Sequence, residues 1–124
     1  MSHDIVADAL NKLMNAKRSG KSNVEINFKS KLLISVLALA KLKGYIKDYK
    51  ATDHVLKIEL GKLNECNAVK PRFTTTVSEI EKYEKRYLPA KDFGILIIST
   101  SKGLMTNQTA KDKNLGGSLI AYMY

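Results

Sequence analysis

Residues 94–105 have the sequence Gly-Ile-Leu-Ile-Ile-Ser-Thr-Ser-Lys-Gly-Leu-Met. The short apolar run, rich in β-branched side chains, predicts a strand over residues 94–100 that is buried on both faces. This strand leads into a hydroxyl-rich turn, in which Ser99, Thr100 and Ser101 are followed by Lys102 and Gly103. Hydroxyls, backbone amides and a lysine suit contacts to phosphate and sugar, and a glycine permits a left-handed turn and close approach by a ribose or an unstacked base. An ordinary turn that precedes a helix explains the same residues equally well.

The residues before this stretch predict the element order α-β-α-β-β. Apolar side chains at helical spacing predict helices over residues 4–17 and 30–43, the second capped by Ser30 and ended by Gly44. Alternation of apolar and polar residues predicts strands over residues 24–28, 45–50 and 55–60. We expect the two helices to pack on one face of this small sheet.

The second half of the chain predicts strands with short helices. Pro71 keeps Lys70 extended, and residues 77–87 have the spacing of a short helix. Thr106 caps another short helix that ends before Gly116 and Gly117, and residues 118–124 form a closing strand. The sequence therefore predicts an α+β fold, in which an α/β half (residues 1–62) packs on a smaller β-rich half (residues 63–124).

The composition favours a polyanionic partner. The 124 residues include 21 Lys and Arg against 12 Asp and Glu, so the net charge is +9. Almost all of these cations are lysines, which suit phosphate neutralisation, although a lysine-rich source would give the same composition. With 44% hydrophobic residues the chain can build a core, and no apolar run approaches the ~20 residues of a membrane span. The single cysteine, Cys66, excludes an intramolecular disulfide and favours a cytosolic setting.

Known catalytic and metal-binding patterns are missing from the sequence. Cys66, His3 and His54 are isolated in the sequence, whereas a metal site needs several such ligands at set spacings. The phosphate-binding glycine motifs are absent, and neither Ser99 nor Ser101 lies in a G-x-S-x-G motif. We therefore expect no catalytic residue, no metal and no cofactor. An enzyme that uses Ser99 or Ser101 as its nucleophile is the competing hypothesis.

Residues 94–111 contain the pattern G-x-x-I-I-S-T-x-x-G-L-M-x-x-x-x-A-K. This pattern resembles the signature of the universal small-subunit ribosomal protein eight family. The resemblance extends to the opening helix, D-I-V-A-D-A-L at residues 4–10, and to L-G-G at residues 115–117. The segments K-P-R-F (residues 70–73) and E-K-R-Y-L-P (residues 84–89) are similar to the archaeal and eukaryotic branch. Coverage is essentially the full chain.

The resemblance implies a structural constituent of the small subunit of the cytoplasmic ribosome. Such a protein binds the central domain of small-subunit rRNA directly, contacts neighbouring small-subunit proteins, and supports folding and assembly. No membrane and no homo-oligomer is expected. By position, the resemblance assigns RNA contacts to Ser99, Thr100, Ser101, Lys102, Gly103, Lys70, Arg72, Tyr87, Asn15, Ser30, Lys31, Gly116 and Gly117.

Two other RNA-binding roles are alternatives to the ribosomal one. Family relatives imply a translational repressor, which binds a hairpin in the messenger RNA of its own operon that mimics the rRNA site. The charge alone would also fit a generic basic adaptor that binds any RNA. A preference for one hairpin over a duplex separates such an adaptor from a site-specific protein.

Overall fold

The structure is a computed structural model that describes residues 5–27, 30–53, 55–90 and 93–124, apart from the side chains of Lys70 and Pro71. The chain divides into two compact units, residues 1–67 and residues 68–124. Both units combine helices with antiparallel strands, so the predicted α+β class is confirmed. Within the described residues, no helix is long and apolar enough to cross a membrane.

The first unit has the predicted order α-β-α-β-β. Its elements are α1 (Ile5–Arg18), β1 (Asn23–Ile26), α2 (Lys31–Leu42), β2 (Ile46–Ala51) and β3 (Leu56–Leu60). The strands form an antiparallel sheet in the order β1-β3-β2. Phe28 and His54, together with the first four residues, lie outside the described part of the chain.

Both ends of α2 follow from its sequence. The Ser30 hydroxyl caps the helix by accepting a hydrogen bond from the Leu33 amide, with 3.1 Å between the two atoms. At the other end Gly44 has a φ of +85°, and the Tyr45 amide donates to the Ala40 carbonyl at 2.9 Å. The helices bury their apolar stripes against the sheet, where the fully buried side chains are Leu10, Leu13, Ile26, Leu33, Leu37, Ile46, Leu56 and Ile58.

The second unit is built on a four-stranded sheet in the order β4-β7-β5-β6. Its elements are β4 (Cys66–Thr75), a 3₁₀ turn (Val77–Glu79), α3 (Ile80–Tyr87), β5 (Ile95–Thr100), β6 (Gly103–Thr106), α4 (Asn107–Asp112) and β7 (Gly117–Met123). The first two residues of β4 belong to the first unit. The predicted short helices, the Thr106 cap and the closing strand are all confirmed.

The sequence did not predict β6. It predicted a hydroxyl-rich turn that ends at Gly103, whereas residues 103–106 form a strand that pairs with β5 as far as Thr106. The turn therefore consists of Ser101 and Lys102 alone. The physical reason is that Leu104 and Met105 extend the pairing opposite Ser99 and Ile98, so that Gly103 closes a tight hairpin.

The core of the second unit lies between its sheet and its helices. Four successive β5 residues, Ile95 to Ile98, are buried, as predicted for a strand covered on both faces. Leu96 and Ile98 pack with Ile80 of α3 and Ala110 of α4, among other residues. Since side chains alternate along a strand, Ile97 and Ser99 belong to the opposite face of the sheet.

Candidate nucleic-acid interface

The β5–β6 hairpin carries five of the predicted RNA contacts. Thr100 pairs with Gly103 across the turn formed by Ser101 and Lys102. Asn114 is the one non-glycine residue with a positive φ in the described part of the chain, so both turn residues have negative φ. Gly103 instead has a φ of +112° and no atom within 4 Å of the position of a Cβ atom. This is the pattern of a tight turn followed by a glycine bulge, and it leaves the backbone at Gly103 open to a ligand.

The Thr100 hydroxyl belongs to the turn itself. It donates to the Gly103 carbonyl at 2.8 Å and accepts from the Lys102 amide at 3.1 Å. Ser101 differs, because its side chain is exposed and its hydroxyl makes no hydrogen bond to any part of the chain that the structure describes. Lys102 is likewise exposed and forms no ion pair with the described residues. The tip therefore presents a hydroxyl and an ammonium that the fold does not use.

Gly116 and Gly117 bring β7 close to two neighbouring strands. A Cβ atom on Gly116 would lie 2.6 Å from the Thr75 carbonyl oxygen at the end of β4. A Cβ atom on Gly117 would overlap the Ser99 carbonyl oxygen. The ends of β4 and β5 and the start of β7 thus meet at one end of the sheet, at a spacing that only glycine allows. We call residues 74–76, 99–103 and 116–118 the hairpin end of the sheet.

Ser118 and Thr74 also lie at the hairpin end of the sheet, although the sequence did not single them out. Ser118 pairs directly with Ser99, on the face of the sheet opposite the helices. That register depends on a bulge in β7 at Ile120, which no sequence pattern reveals. Thr74 is exposed on the same face of β4 as Arg72, which the alternation with the core residue Val69 predicts. The Thr74-Thr75-Thr76 run lies at the end of β4, which no sequence pattern marks as a strand end.

Tyr87 lies away from the hairpin end of the sheet. The Tyr87 ring stacks on the Tyr122 ring, with 5.2 Å between the two centroids, and the Arg86 guanidinium lies 5.5 Å from the centroid of the Tyr87 ring. Tyr122 pairs with Leu96, four residues or ~13 Å along β5 from Thr100. Because the Tyr87 ring packs against the core, the structure does not bring it together with the hairpin tip.

The remaining predicted residues are spread over both units. Arg72 is exposed on β4, three residues before its end, and the side chain of Lys70 lies outside the described part. In the first unit, Ser30 uses its hydroxyl as a helix cap, and Lys31 is the exposed first residue of α2. Asn15 borders an open groove of about 310 Å³, which is also lined by Lys12, Ala16, Ser19, Lys21, Asn23, Val24 and Glu25.

Ion pairs use some of the lysine charge. Lys41 contacts Asp48 at 3.0 Å, and Lys47 contacts Glu59 at 3.6 Å. The hydrogen bond from Lys41 lowers the pKa of the Asp48 carboxyl, with further help from the Tyr49 amide. Lys41 and Lys47 therefore act within the fold, whereas Lys102 remains available for a phosphate.

Of the candidate ligands and nucleophiles Cys66, His3 and His54, the structure describes Cys66 alone. Among the described residues, no group of three or more His, Cys, Asp or Glu side chains is placed to hold a metal ion. Cys66 is buried, and burial raises the pKa of its thiol to about 12. At neutral pH this group is a protonated thiol, which donates to the Leu10 carbonyl at 3.6 Å, and not a nucleophile.

Comparison with known proteins agrees with this picture. The family described as Ribosomal protein S8 matches residues 4–124. The chain is 50% identical over 129 residues to the small ribosomal subunit protein uS8 of Nanoarchaeum equitans, with the full length of both chains covered. It is 45% identical to the uS8 protein of Archaeoglobus fulgidus, again over the full length of both.

The family match and the two relatives define a structural protein of the small ribosomal subunit, which acts in translation within a ribonucleoprotein of the cytoplasm. More specifically, the chain belongs to the ribosomal protein S8 family. This family is one of structural proteins without catalytic activity, and binding to rRNA and to neighbouring small-subunit proteins is consistent with it. Both relatives are archaeal, in agreement with the branch that the sequence resembles.

Proposed function

We propose that the chain binds the central domain of small-subunit rRNA directly and supports its folding during assembly, with residues 63–124 as the main RNA-binding half. The observation that carries this proposal is the hairpin end of the sheet. There, three strand ends meet, glycines keep the backbones close, and the tip presents an unused hydroxyl beside an unpaired lysine.

The chemistry of RNA explains why such a surface fits an irregular hairpin. A regular A-form helix hides its base edges in a deep, narrow major groove, so proteins contact sugars in the minor groove and unstacked bases. The Ser101 hydroxyl can both donate to and accept from a ribose or a base edge. The open backbone at Gly103 admits close contact, and Lys102 attracts phosphate.

The residues of the hairpin end then divide into two groups. Ser101, Lys102 and Gly103 contact the RNA, together with the Ser99–Ser118 pair on the sheet face. Thr100, Gly116 and Gly117 place these groups, because their own contacts are with the hairpin and the neighbouring strands. A change at Thr100 or Gly117 should therefore alter both stability and binding. A change at Gly116, which lies against Thr75 and Thr76, should mainly alter stability, and a change at Ser101 should alter binding alone.

Further contacts extend from this centre. Arg72 and Lys70 on β4 supplement it, and the half-buried Tyr87 contributes its ring to a contact with a ribose or a base. The first unit meets a second RNA segment through Asn15 and through Ser30 and Lys31, since the N-terminus of a helix favours phosphate. Neighbouring small-subunit proteins are its protein partners, and the chain has no catalytic role and needs no cofactor.

Hairpin binding across a salt series tests the proposal. The two RNAs are a hairpin from the small-subunit central domain and a scrambled, fully paired duplex of equal length. We expect a preference of about a hundredfold or more for the hairpin that persists as salt rises. Equal affinities that fall together with salt would show that the +9 charge alone binds RNA, and would contradict the proposal.

The same assay separates the alternatives. A generic basic adaptor binds both RNAs equally. A repressor of its own messenger binds a hairpin from that messenger in competition with the rRNA hairpin, so this role adds to the ribosomal one. An enzyme that uses Ser99 or Ser101 as nucleophile predicts stoichiometric labelling by a serine-reactive probe. We expect no labelling, because neither serine lies in a G-x-S-x-G motif and no histidine lies nearby in the sequence.

A further inference from the structure

A buried amide joins β5 to α3 in the second unit. Asn107 is the first residue of α4 and is 7% exposed. Its Oδ1 accepts a hydrogen bond from the Leu96 amide at 3.1 Å, and its Nδ2 donates to the carboxylate of Glu84. Both ends of one side chain are thus used, one on the strand that ends in the hairpin and the other on the helix that ends in Tyr87.

The Leu96 amide needs this partner. Pairing between β5 and β6 stops at Ile97 and Thr106, because the chain then turns into α4. The Asn107 side chain adds one further hydrogen bond beyond the last backbone pair. Without it a buried N–H group would be left unsatisfied, which costs roughly 1–3 kcal/mol.

Glu84 is held on its other side by Lys111. The Lys111 ammonium lies 3.0 Å from the Glu84 carboxylate, and the two side chains are 32% and 19% exposed. The carboxylate therefore accepts from an amide and from a cation in a mostly buried setting. Because Lys111 is paired with Glu84, this lysine, which is the last residue of the 94–111 pattern, is not available to RNA phosphates.

We propose that Asn107, Glu84 and Lys111 form a clamp that positions the β5–β6 hairpin relative to Tyr87 and thereby sets the selectivity for RNA. The inference rests on the proposed function, since it takes both the hairpin tip and Tyr87 as RNA contacts. Glu84 lies one helical turn before Tyr87 on α3, and Leu96 lies four residues before Thr100 on β5. None of the three clamp residues touches RNA itself; they act by placing the groups that do.

A swap of the hydrogen-bonding groups tests the clamp. In Asn107→Asp two carboxylates face each other, while in Asn107→Asp with Glu84→Gln the Gln amide donates to the Asp carboxylate and the net charge is that of the original chain. We expect the preference of the single variant for the RNA hairpin over the RNA duplex to be about tenfold lower than that of the original chain. The double variant should regain the preference to within about threefold, with the salt dependence unchanged in both.

Two controls separate position from charge. Asn11→Asp, on the exposed surface of α1, adds the same negative charge outside the clamp. Glu81→Gln removes a carboxylate from the same helix as Glu84, where Glu81 is exposed and pairs with Lys85 at 3.8 Å. Neither control should change the preference. Hydrogen exchange at the Leu96 amide reports directly whether the clamp has formed in each variant.

The outcomes are distinct. An Asn107→Asp variant that melts earlier yet keeps the full preference would show that the clamp only stabilises the fold, and would overturn the inference. If the single variant does not fold, a folded double variant without the preference would overturn it equally. A wild-type chain that shows no preference contradicts the proposed function, and this is seen before any variant is made.

Discussion

Two runs of three hydroxyl residues end at the same end of one sheet but are used differently. Thr74-Thr75-Thr76 closes β4, and Ser99-Thr100-Ser101 crosses from the end of β5 into the turn. In the first run Thr75 is buried and donates to the Thr76 carbonyl at 3.1 Å, while the Thr76 hydroxyl donates to the Glu79 carboxylate at 2.9 Å. In the second run the last hydroxyl, that of Ser101, has no partner in the described part of the chain.

The difference lies in the residues that follow each run. Glu79 stands three residues after Thr76, and its carboxylate accepts from both the backbone amide and the hydroxyl of Thr76, as at the start of many helices. Lys102 and Gly103 follow Ser101 and close a tight hairpin, which turns the serine outward. A hydroxyl run alone is therefore not evidence of a binding surface. The residues that follow the run determine whether its last hydroxyl is bonded within the fold or exposed.

The largest effect on stability and binding is expected from substitution of the two glycines that lie against the hydroxyl runs, Gly116 beside Thr75 and Gly117 beside Ser99. A Cβ atom overlaps the Ser99 carbonyl in Gly117→Ala and approaches the Thr75 carbonyl in Gly116→Ala. Both substitutions should lower the free energy of unfolding by about 1–3 kcal/mol, measured by urea denaturation. Gly117→Ala should in addition abolish the preference for the hairpin RNA, whereas Gly116→Ala should keep it within about threefold. Equal loss in both variants would show that the two runs act as one surface.

The exposed serine gives the next effect. Ser101→Ala should weaken hairpin binding by roughly 1–3 kcal/mol, because an RNA group loses its partner in the complex. Its free energy of unfolding should change by less than about 0.5 kcal/mol, since the hydroxyl has no partner within the fold. The matched variant is Thr76→Ala, which should lose some stability with its hydrogen bond to Glu79 and leave RNA binding unchanged. RNA binding and the free energy of unfolding are measured on both variants. If either substitution changed both quantities, the distinction between the two hydroxyl runs would be wrong.

The lysine beside the serine gives a smaller and less specific effect. Lys102→Ala should lower the affinity for hairpin and duplex alike and reduce the slope of log affinity against log salt by about one unit or less. Lys41→Ala serves as its control, because Lys41 is already paired with Asp48. A Lys102→Ala protein that kept its salt slope but lost discrimination would show that Lys102 reads the RNA and does not only attract it.

Much of the fold could be predicted because its signals are local. Spacing placed both helices of the first unit, Ser30 and Gly44 marked the ends of α2, and the apolar run at residues 95–98 was correctly expected to be buried. The short β6 strand was missed, since Gly103 is equally compatible with an open loop and with a hairpin bulge. Only the pairing of the residues on either side distinguishes the two.

The site was predictable in its centre and not in its surroundings. The tip residues follow one another in sequence, so a single motif predicts them together. Ser118 joins them only through the register of β7, and the Asn107–Glu84 contact spans 23 residues between two helices. Such contacts depend on long-range pairing, which periodicity does not reveal. Conversely, the motif also contains Thr100 and Lys111, whose polar groups the fold itself uses.

The smallest effect concerns the pH dependence of the first run. The hydroxyl and the backbone amide of Thr76 hold the pKa of the Glu79 carboxyl below its usual range. A carboxyl whose pKa is lower in the folded chain stabilises the fold above its unfolded pKa, and this contribution is lost as the pH falls through the folded value. The difference in unfolding free energy between the original chain and Thr76→Ala should therefore be larger at about pH 7 than at about pH 3. Because Glu79 is exposed to solvent, the change will be modest, and a difference that stayed constant with pH would mean that the threonine caps the helix without any help from the carboxylate charge.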